Sequence, residues 1–273
     1  METRPIPSSG EELPVIGLGT WQTFDVGKSE AELQPLEEIM SRFVDLGGKL
    51  VDSSPMYGRS EEVVGEIAER LCLRDRLFLA TKVWTTGKRA GLAQIVRSAR
   101  RLRAPTIDLL QVHNLLDVDT QLETLRSWKE EGRVRYIGVS HYTASANDEV
   151  ARVLRREKVD FLQINYSIVE PDAGEEILPL AADRGVAVIA NRPFGGGSGL
   201  RRVAGRPLPP QAAALGCESW AGLFLKWILA DPRVTCAIPA TGKRAHLERN
   251  MRAGTGPTPD AAMRRAIAEL ARS

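Results

Sequence analysis

Cysteine is scarce in this 273-residue chain, and the three present, Cys72, Cys217 and Cys236, stand far apart. None belongs to a C-x-x-C pair, which removes a structural zinc ribbon and thioredoxin-like chemistry and leaves incidental thiols of a reducing compartment. A charge excess is also missing: 37 basic side chains face 35 acidic ones. A formal charge of +2 is too small for electrostatic capture of nucleic acid, and with 43% hydrophobic residues it excludes a disordered chain. No apolar run approaches the length of a membrane span. Met1 to Leu13 is polar, carries Pro5 and Pro7, and has no apolar core of a secretory signal, so a cytoplasmic location is expected. Histidine numbers three, with no H-x-H or H-E-x-x-H grouping, so no metal site is expected. The dinucleotide fingerprint G-x-G-x-x-G is absent as well: Gly17 to Gln22 fails at its last position.

What is present is a repeat of type. Short, β-branched apolar runs alternate with longer segments of helical period. The runs are Val15–Leu18, Leu50–Val51, Leu77–Ala80, Ile107–Val112, Tyr136–Val139, Phe161–Ile164, Val186–Ala190 and Val234–Ile238. Most lack a polar alternate face, as expected of strands buried on both sides of a parallel sheet. Between them, Leu92, Ile95, Val96, Ala99 and Leu102 recur at helical spacing, and so do Trp220, Leu223, Phe224, Trp227 and Ile228. Further helices are predicted near 29–46, 60–71, 120–131, 145–157, 174–184, 243–252 and 259–271. Eight strand-then-helix units predict an α/β fold, a single-domain (β/α)₈ TIM barrel over 1–273, with a lead-in at 1–14 and a tail helix within 254–273. An open doubly wound sheet is the alternative, since strand order is not legible in one sequence.

In such a barrel the chemistry gathers where strands end. The second run ends at Asp52 with Tyr57 beyond it, the third at Lys82, the fourth at His113, the fifth at Ser140-His141, the sixth at Gln163, the seventh at Asn191-Arg192, and the eighth at Pro239-Ala240-Thr241. Singly, each has an ordinary use: Asp52 as a helix cap, Lys82 as a surface charge, His113 as a structural histidine. Jointly, an aspartate beside a lysine beside a phenol suits protonation of a developing alkoxide. The carboxylate keeps the lysine charged, and the lysine favours the phenolate, which predicts a lowered Tyr57 pKa.

These segments resemble the aldo-keto reductases, short-loop bacterial-type members in particular. Gly17-Leu-Gly19-Thr20-Trp21, Val51-Asp52-Ser-Ser-Pro-Met56-Tyr57-Gly58, Thr81-Lys82, Asp108-Leu-Leu-Gln-Val-His113, Gly138-Val-Ser140, Gln163-Ile-Asn-Tyr166 and Ile238-Pro239 occur in the family's order. The resemblance spans about residues 15 to 252. It implies NADP(H) as cofactor, with NAD(H) as the alternative, and Tyr57 as general acid. Lys82 and Asp52 then tune Tyr57, and His113 orients a carbonyl. It also implies cofactor contacts from Gly19, Thr20, Ser140, His141, Gln163, Asn191, Arg192, Thr241, Lys243, His246 and Asn250. Trp21, Met56 and Trp84 are placed near the substrate.

Three positions depart from the better-known members. His141 stands where asparagine is common. Asn191 stands where an aromatic stacks, leaving Arg192 to cover that face by its planar guanidinium. Ala240 replaces a lysine that contacts the 2′-phosphate, leaving Thr241, Lys243 and His246 nearby. The short segment after His113 implies an open pocket for small aldehydes or ketones. The expected partner is thus a small-molecule carbonyl substrate, with no nucleic acid, no membrane, and a monomeric chain. Competing readings are a nicotinamide-nucleotide sensor with negligible turnover and a Schiff-base aldolase built on Lys82.

Overall fold

The computed structural model describes residues 1–272. The stretch expected as a lead-in is folded: β1 (Thr3–Pro5) and β2 (Glu12–Pro14) form an antiparallel hairpin. Its strands have three residues each, too short to leave a periodic trace in the sequence.

Eight strands follow: β3 (Leu18–Gly19), β4 (Leu50–Asp52), β5 (Phe78–Val83), β6 (Ile107–His113), β7 (Val134–Ser140), β8 (Phe161–Asn165), β9 (Ala187–Asn191) and β10 (Cys236–Ala237). All neighbours are parallel and lie in chain order, which removes the doubly wound alternative. The first and last strands meet. Gly17 N donates to Ala237 O at 2.9 Å, Ala237 N to Val15 O at 2.9 Å, and Gly19 N to Pro239 O at 3.1 Å. Isolated parallel bridges Ile16–Ala237 and Gly19–Ala240 complete that seam. Glycine is required there, because a Cβ on Gly17 would fall 2.9 Å from the Leu50 carbonyl oxygen.

Successive strand residues face opposite sides of a sheet. One parity points into the barrel and begins apolar: Leu50, Phe78, Leu109, Tyr136, Phe161 and Ile189 form one buried cluster with Ile6 and Leu13 of the hairpin. Phe78, Tyr136 and Phe161 pack ring against ring at 5.6–6.0 Å. The hairpin therefore plugs the end of the barrel at which the strands begin. Continued toward the strand ends, the same parity turns polar, running from Leu50 to Asp52, Phe78 to Lys82, Leu109 to Gln111 and His113, and Phe161 to Gln163 and Asn165. The site is the polar cap of an otherwise apolar column.

The other parity packs against helices, in a second and larger cluster. These helices are α1 (Glu30–Asp45), α2 (Ser60–Arg70), α3 (Lys88–Arg101), α4 (Val118–Glu130), α5 (Asn147–Arg156), α6 (Ile177–Asp183), α9 (Trp220–Leu229) and α10 (Arg244–Arg252), with short α7 (Ser198–Arg202) and α8 (Pro210–Ala214) between α6 and α9. The helix expected from 174 begins at Ile177, after a 3₁₀ turn at Asp172–Gly174. Residues 193–215, between β9 and α9, hold α7 and α8. The tail helix α11 (Ala261–Arg272) docks through Arg264, whose guanidinium lies 4.1 Å from the centre of the Trp227 ring and donates to Trp227 O at 3.0 Å. No helix among the described residues is long and apolar enough to cross a membrane.

Candidate active site

At the C-terminal ends of the strands lies a cavity of about 430 Å³. Asp52, Tyr57, Lys82 and His113, spread over 62 positions of sequence, all line it. Lys82 is 1% exposed and Asp52 2%, which rules out a surface role for the lysine. Lys82 Nζ donates to Asp52 Oδ1 at 2.7 Å, to Oδ2 at 2.8 Å and to Ser53 O at 2.8 Å. Burial acts against the ammonium, but the Asp52 charge, then Tyr57, then hydrogen bonding to Asp52 outweigh it, so the Lys82 pKa is raised. Outside the barrel wall, the neighbouring Thr81 hydroxyl donates to buried Glu61 Oε1 at 2.6 Å, which ties α2 to β5 beside the lysine.

Lys82 Nζ sits 5.3 Å from the Tyr57 ring centre, and the Tyr57 and His113 rings meet edge to face at 6.2 Å. Sequence reasoning expected Lys82 to lower the phenol's pKa. It is raised, because burial penalises the phenolate more than the lysine charge favours it, and Asp52 adds to the rise. The lysine moderates the shift without reversing it. His113 is pushed down to about 3, first by burial, then by the Lys82 charge and by His141. Its imidazole is neutral at physiological pH. The Ser54 hydroxyl lies 3.2 Å from His113 Nδ1, and when it donates there the ring hydrogen is on Nε2, as a donor.

The other predicted residues divide into two groups. Gly19, Thr20, Trp21, Met56, Ser140, His141, Gln163, Asn191, Arg192 and Ala240 line the cavity. Thr20 is spoken for, since its hydroxyl donates to Asp52 O at 2.9 Å and steadies the end of β4. Asn191 Nδ2 donates to His141 O at 3.0 Å, and Arg192, 5.9 Å from the Tyr142 ring, pairs with Glu170 at 3.5 Å. Arg192 has a φ of 48°, a left-handed backbone unusual outside glycine and common at functional sites. Thr241, Lys243, His246, Asn250 and Trp84 do not line the cavity. Thr241 Oγ1 accepts from Lys243 N at 3.1 Å ahead of α10, Lys243 and His246 are exposed, and Asn250 is buried. Trp84 is 40% exposed on the rim, with its ring 6.4 Å from His113. Sequence reasoning missed Ser54, Gln111, Asn114, Tyr142 and Phe194. The inward parity of β6, counted back from His113, is the signal that reaches Gln111.

The aldo/keto reductase family model matches residues 15–270. The chain belongs to the aldo/keto reductase family. Among curated relatives, aldo-keto reductase YhdN of Bacillus subtilis is 30% identical over 204 residues, covering 69% of this chain and 61% of that protein. Methylglyoxal reductase YeaE of Escherichia coli is 25% identical over 258 residues, covering 92% of this chain and 89% of that protein. Among solved structures, an aldo-keto reductase from Klebsiella pneumoniae in complex with NADPH superposes with a TM-score of 0.83 at 25% identity, over 99% of this chain and 95% of that one. The polar cap of this family member is thus built on the family's barrel, with Asn191, Arg192 and Ala240 at one edge of the mouth.

Proposed function

We propose that this protein reduces aldehyde or ketone carbonyls to alcohols at the expense of NADPH, with Tyr57 as general acid. The observation that carries the reading is the buried Asp52–Lys82 pair beside Tyr57, facing neutral His113 across one cavity. The cavity also fits a cofactor. Asn114 Oδ1, Asn191 Oδ1 and Arg192 Nε are buried without hydrogen-bond partners on residues that line it, and such atoms ask for a ligand. Ser140 and Gln163 would hold the nicotinamide carboxamide, and His141 lies beside them. Asn191, Arg192 and the Gly196-Gly197 turn would flank the ring and phosphates. Thr241, Lys243, His246 and Asn250 would meet the adenosine end, and the solved relative's NADPH supports the phosphorylated form. When bound, the dihydronicotinamide supplies hydride.

The chain's own residues do the rest. His113 Nε2 donates to the carbonyl oxygen and orients it. Tyr57, protonated at neutral pH, gives its proton to the developing alkoxide. The fixed Lys82 charge stabilises the phenolate left behind, and Asp52 holds Lys82 by direct contact. A Schiff-base lysine must be neutral to attack a carbonyl. Lys82, with three acceptors within 2.8 Å and a raised pKa, is the opposite.

The test is NADPH consumption by the purified protein with a panel of small aldehydes and ketones. Tyr57→Phe should lower kcat by about 10²–10⁴-fold while the cofactor still binds. Equal rates in the variant would remove Tyr57 from the role. No turnover with any carbonyl, alongside tight cofactor binding, would instead favour a nucleotide sensor.

A further inference from the structure

Gln111 stands two residues before His113 on β6, paired with Lys82 in the sheet. It is fully buried and lies behind the cavity wall, whereas Gln163 is part of that wall. Gln111 Nε2 donates to Gln163 Oε1 at 2.9 Å, and Gln163 Nε2 donates to Asp52 Oδ2 at 3.3 Å. Gln111 Oε1 has no partner. Leucine or methionine at this place would spare the barrel an unsatisfied buried oxygen, so what singles out glutamine is its nitrogen.

The direction of this chain of amides is set at its end. An ionised carboxylate only accepts, so Gln163 turns its nitrogen toward Asp52. Its oxygen then faces Gln111, which must answer with a nitrogen. Reversing either amide would set two oxygens against each other inside the barrel. Both ends of the Gln163 amide are therefore held by neighbours before any ligand arrives, and one N–H and one lone pair remain for the cavity.

We propose that Gln111 is a positioning residue that locks the Gln163 amide in the one orientation offered to the nicotinamide carboxamide. This deepens the functional reading above and rests on it. It predicts that the nicotinamide half of the cofactor, and not the adenosine half, responds to Gln111. The experiment titrates NADP⁺, and separately the adenosine bisphosphate half of NADP, into the full-length protein. The signal is the tryptophan fluorescence of Trp21 and Trp84 at the mouth. Gln111→Met, close in size but unable to donate, should weaken NADP⁺ binding by about three- to tenfold and leave the adenosine fragment within about twofold. In steady state the KM for NADPH should rise by more than kcat falls.

Gln111→Glu adds a readout that a merely structural role would not give. Ionised Glu cannot donate to Gln163, but its protonated form can. Burial and the Asp52 charge raise that carboxyl's pKa, against the opposing pull of the Lys82 ammonium on the neighbouring strand. The ratio of variant to wild-type affinity for NADP⁺ should thus recover toward one as pH is lowered. Wild-type binding matched by both variants at every pH overturns the inference alone. A wild-type protein that binds neither NADP⁺ nor NADPH overturns the functional reading beneath it. Should Gln111→Met fail to fold, the pH dependence of Gln111→Glu still decides.

Discussion

Lys82 Nζ lies 2.7 and 2.8 Å from the two carboxylate oxygens of Asp52, with both side chains buried beneath Tyr57. Each ion excuses the burial of the other. Removing Asp52 leaves an ammonium with no counter-charge, a loss of about 3–5 kcal/mol for a buried pair. Asp52→Asn should therefore lower the urea midpoint sharply. The double variant Asp52→Asn with Lys82→Met should regain most of that stability without regaining activity. A single variant as stable as wild type would mean that water reaches the pair.

In the proposed reduction Tyr57 gives its proton as the neutral phenol. Because the Tyr57 pKa is raised above its ordinary 10, the donor form persists through neutral and mildly alkaline pH. The kcat/KM for reduction is expected to stay flat there and to fall only as pH climbs past 10. A basic limb centred near neutrality would show that another group donates.

His113 carries a stability signature of its own. Its folded pKa of about 3 lies below the unfolded value of 6.5, so between these pH values the unfolded chain binds more protons. Stability is then complete above pH 6.5 and is lost as pH falls toward 3, by up to roughly 4–5 kcal/mol. Replacing His113 with Asn should flatten this slope, measured by denaturant titration from pH 7 to 4. An unchanged slope would place the imidazole in a more solvated setting.

Gly65 sits where α2 crosses the end of α3. A Cβ there would fall 2.1 Å from Arg101 O and 2.7 Å from the Leu102 carbonyl carbon. In an exposed helix alanine would stabilise by about 1 kcal/mol, but backbone cannot give way as a side-chain tip can. Gly65→Ala is expected to cost about 1–3 kcal/mol by overpacking, read as a lower melting temperature.

Arg264 fastens α11. It stacks on Trp227 at 4.1 Å, donates to Trp227 O at 3.0 Å, and reaches the Tyr166 hydroxyl and Asp231. Arg264→Ala should free the tail helix while sparing the barrel. Amide exchange should accelerate within 261–272, with turnover nearly unchanged. Uniform loss of protection throughout the chain would mean that α11 belongs to the cooperative core.

By itself the sequence determined the alternation of eight apolar runs with amphipathic helices, and hence a parallel α/β fold; strand order, and with it closure into a barrel, came from the tertiary structure. It also determined which side chains stand at the ends of those runs, Asp52, Lys82, His113, Ser140 and Gln163 among them. Those features are local: a two-residue or 3.6-residue period, and the residue at which an apolar run stops. Tertiary structure decided what depends on distance between strands. The hairpin at Thr3–Pro14 escaped because three-residue strands carry no period, and it becomes legible only where Ile6 and Leu13 meet the barrel floor. The sign of the Tyr57 shift required knowing that burial exceeds the pull of Lys82. Lys243 and His246 lie near the mouth along the chain, yet their helix turns them to solvent rather than into the cavity. The Gln111–Gln163–Asp52 chain joins three strands, because inward-facing residues from separate strands share one layer only after the barrel closes.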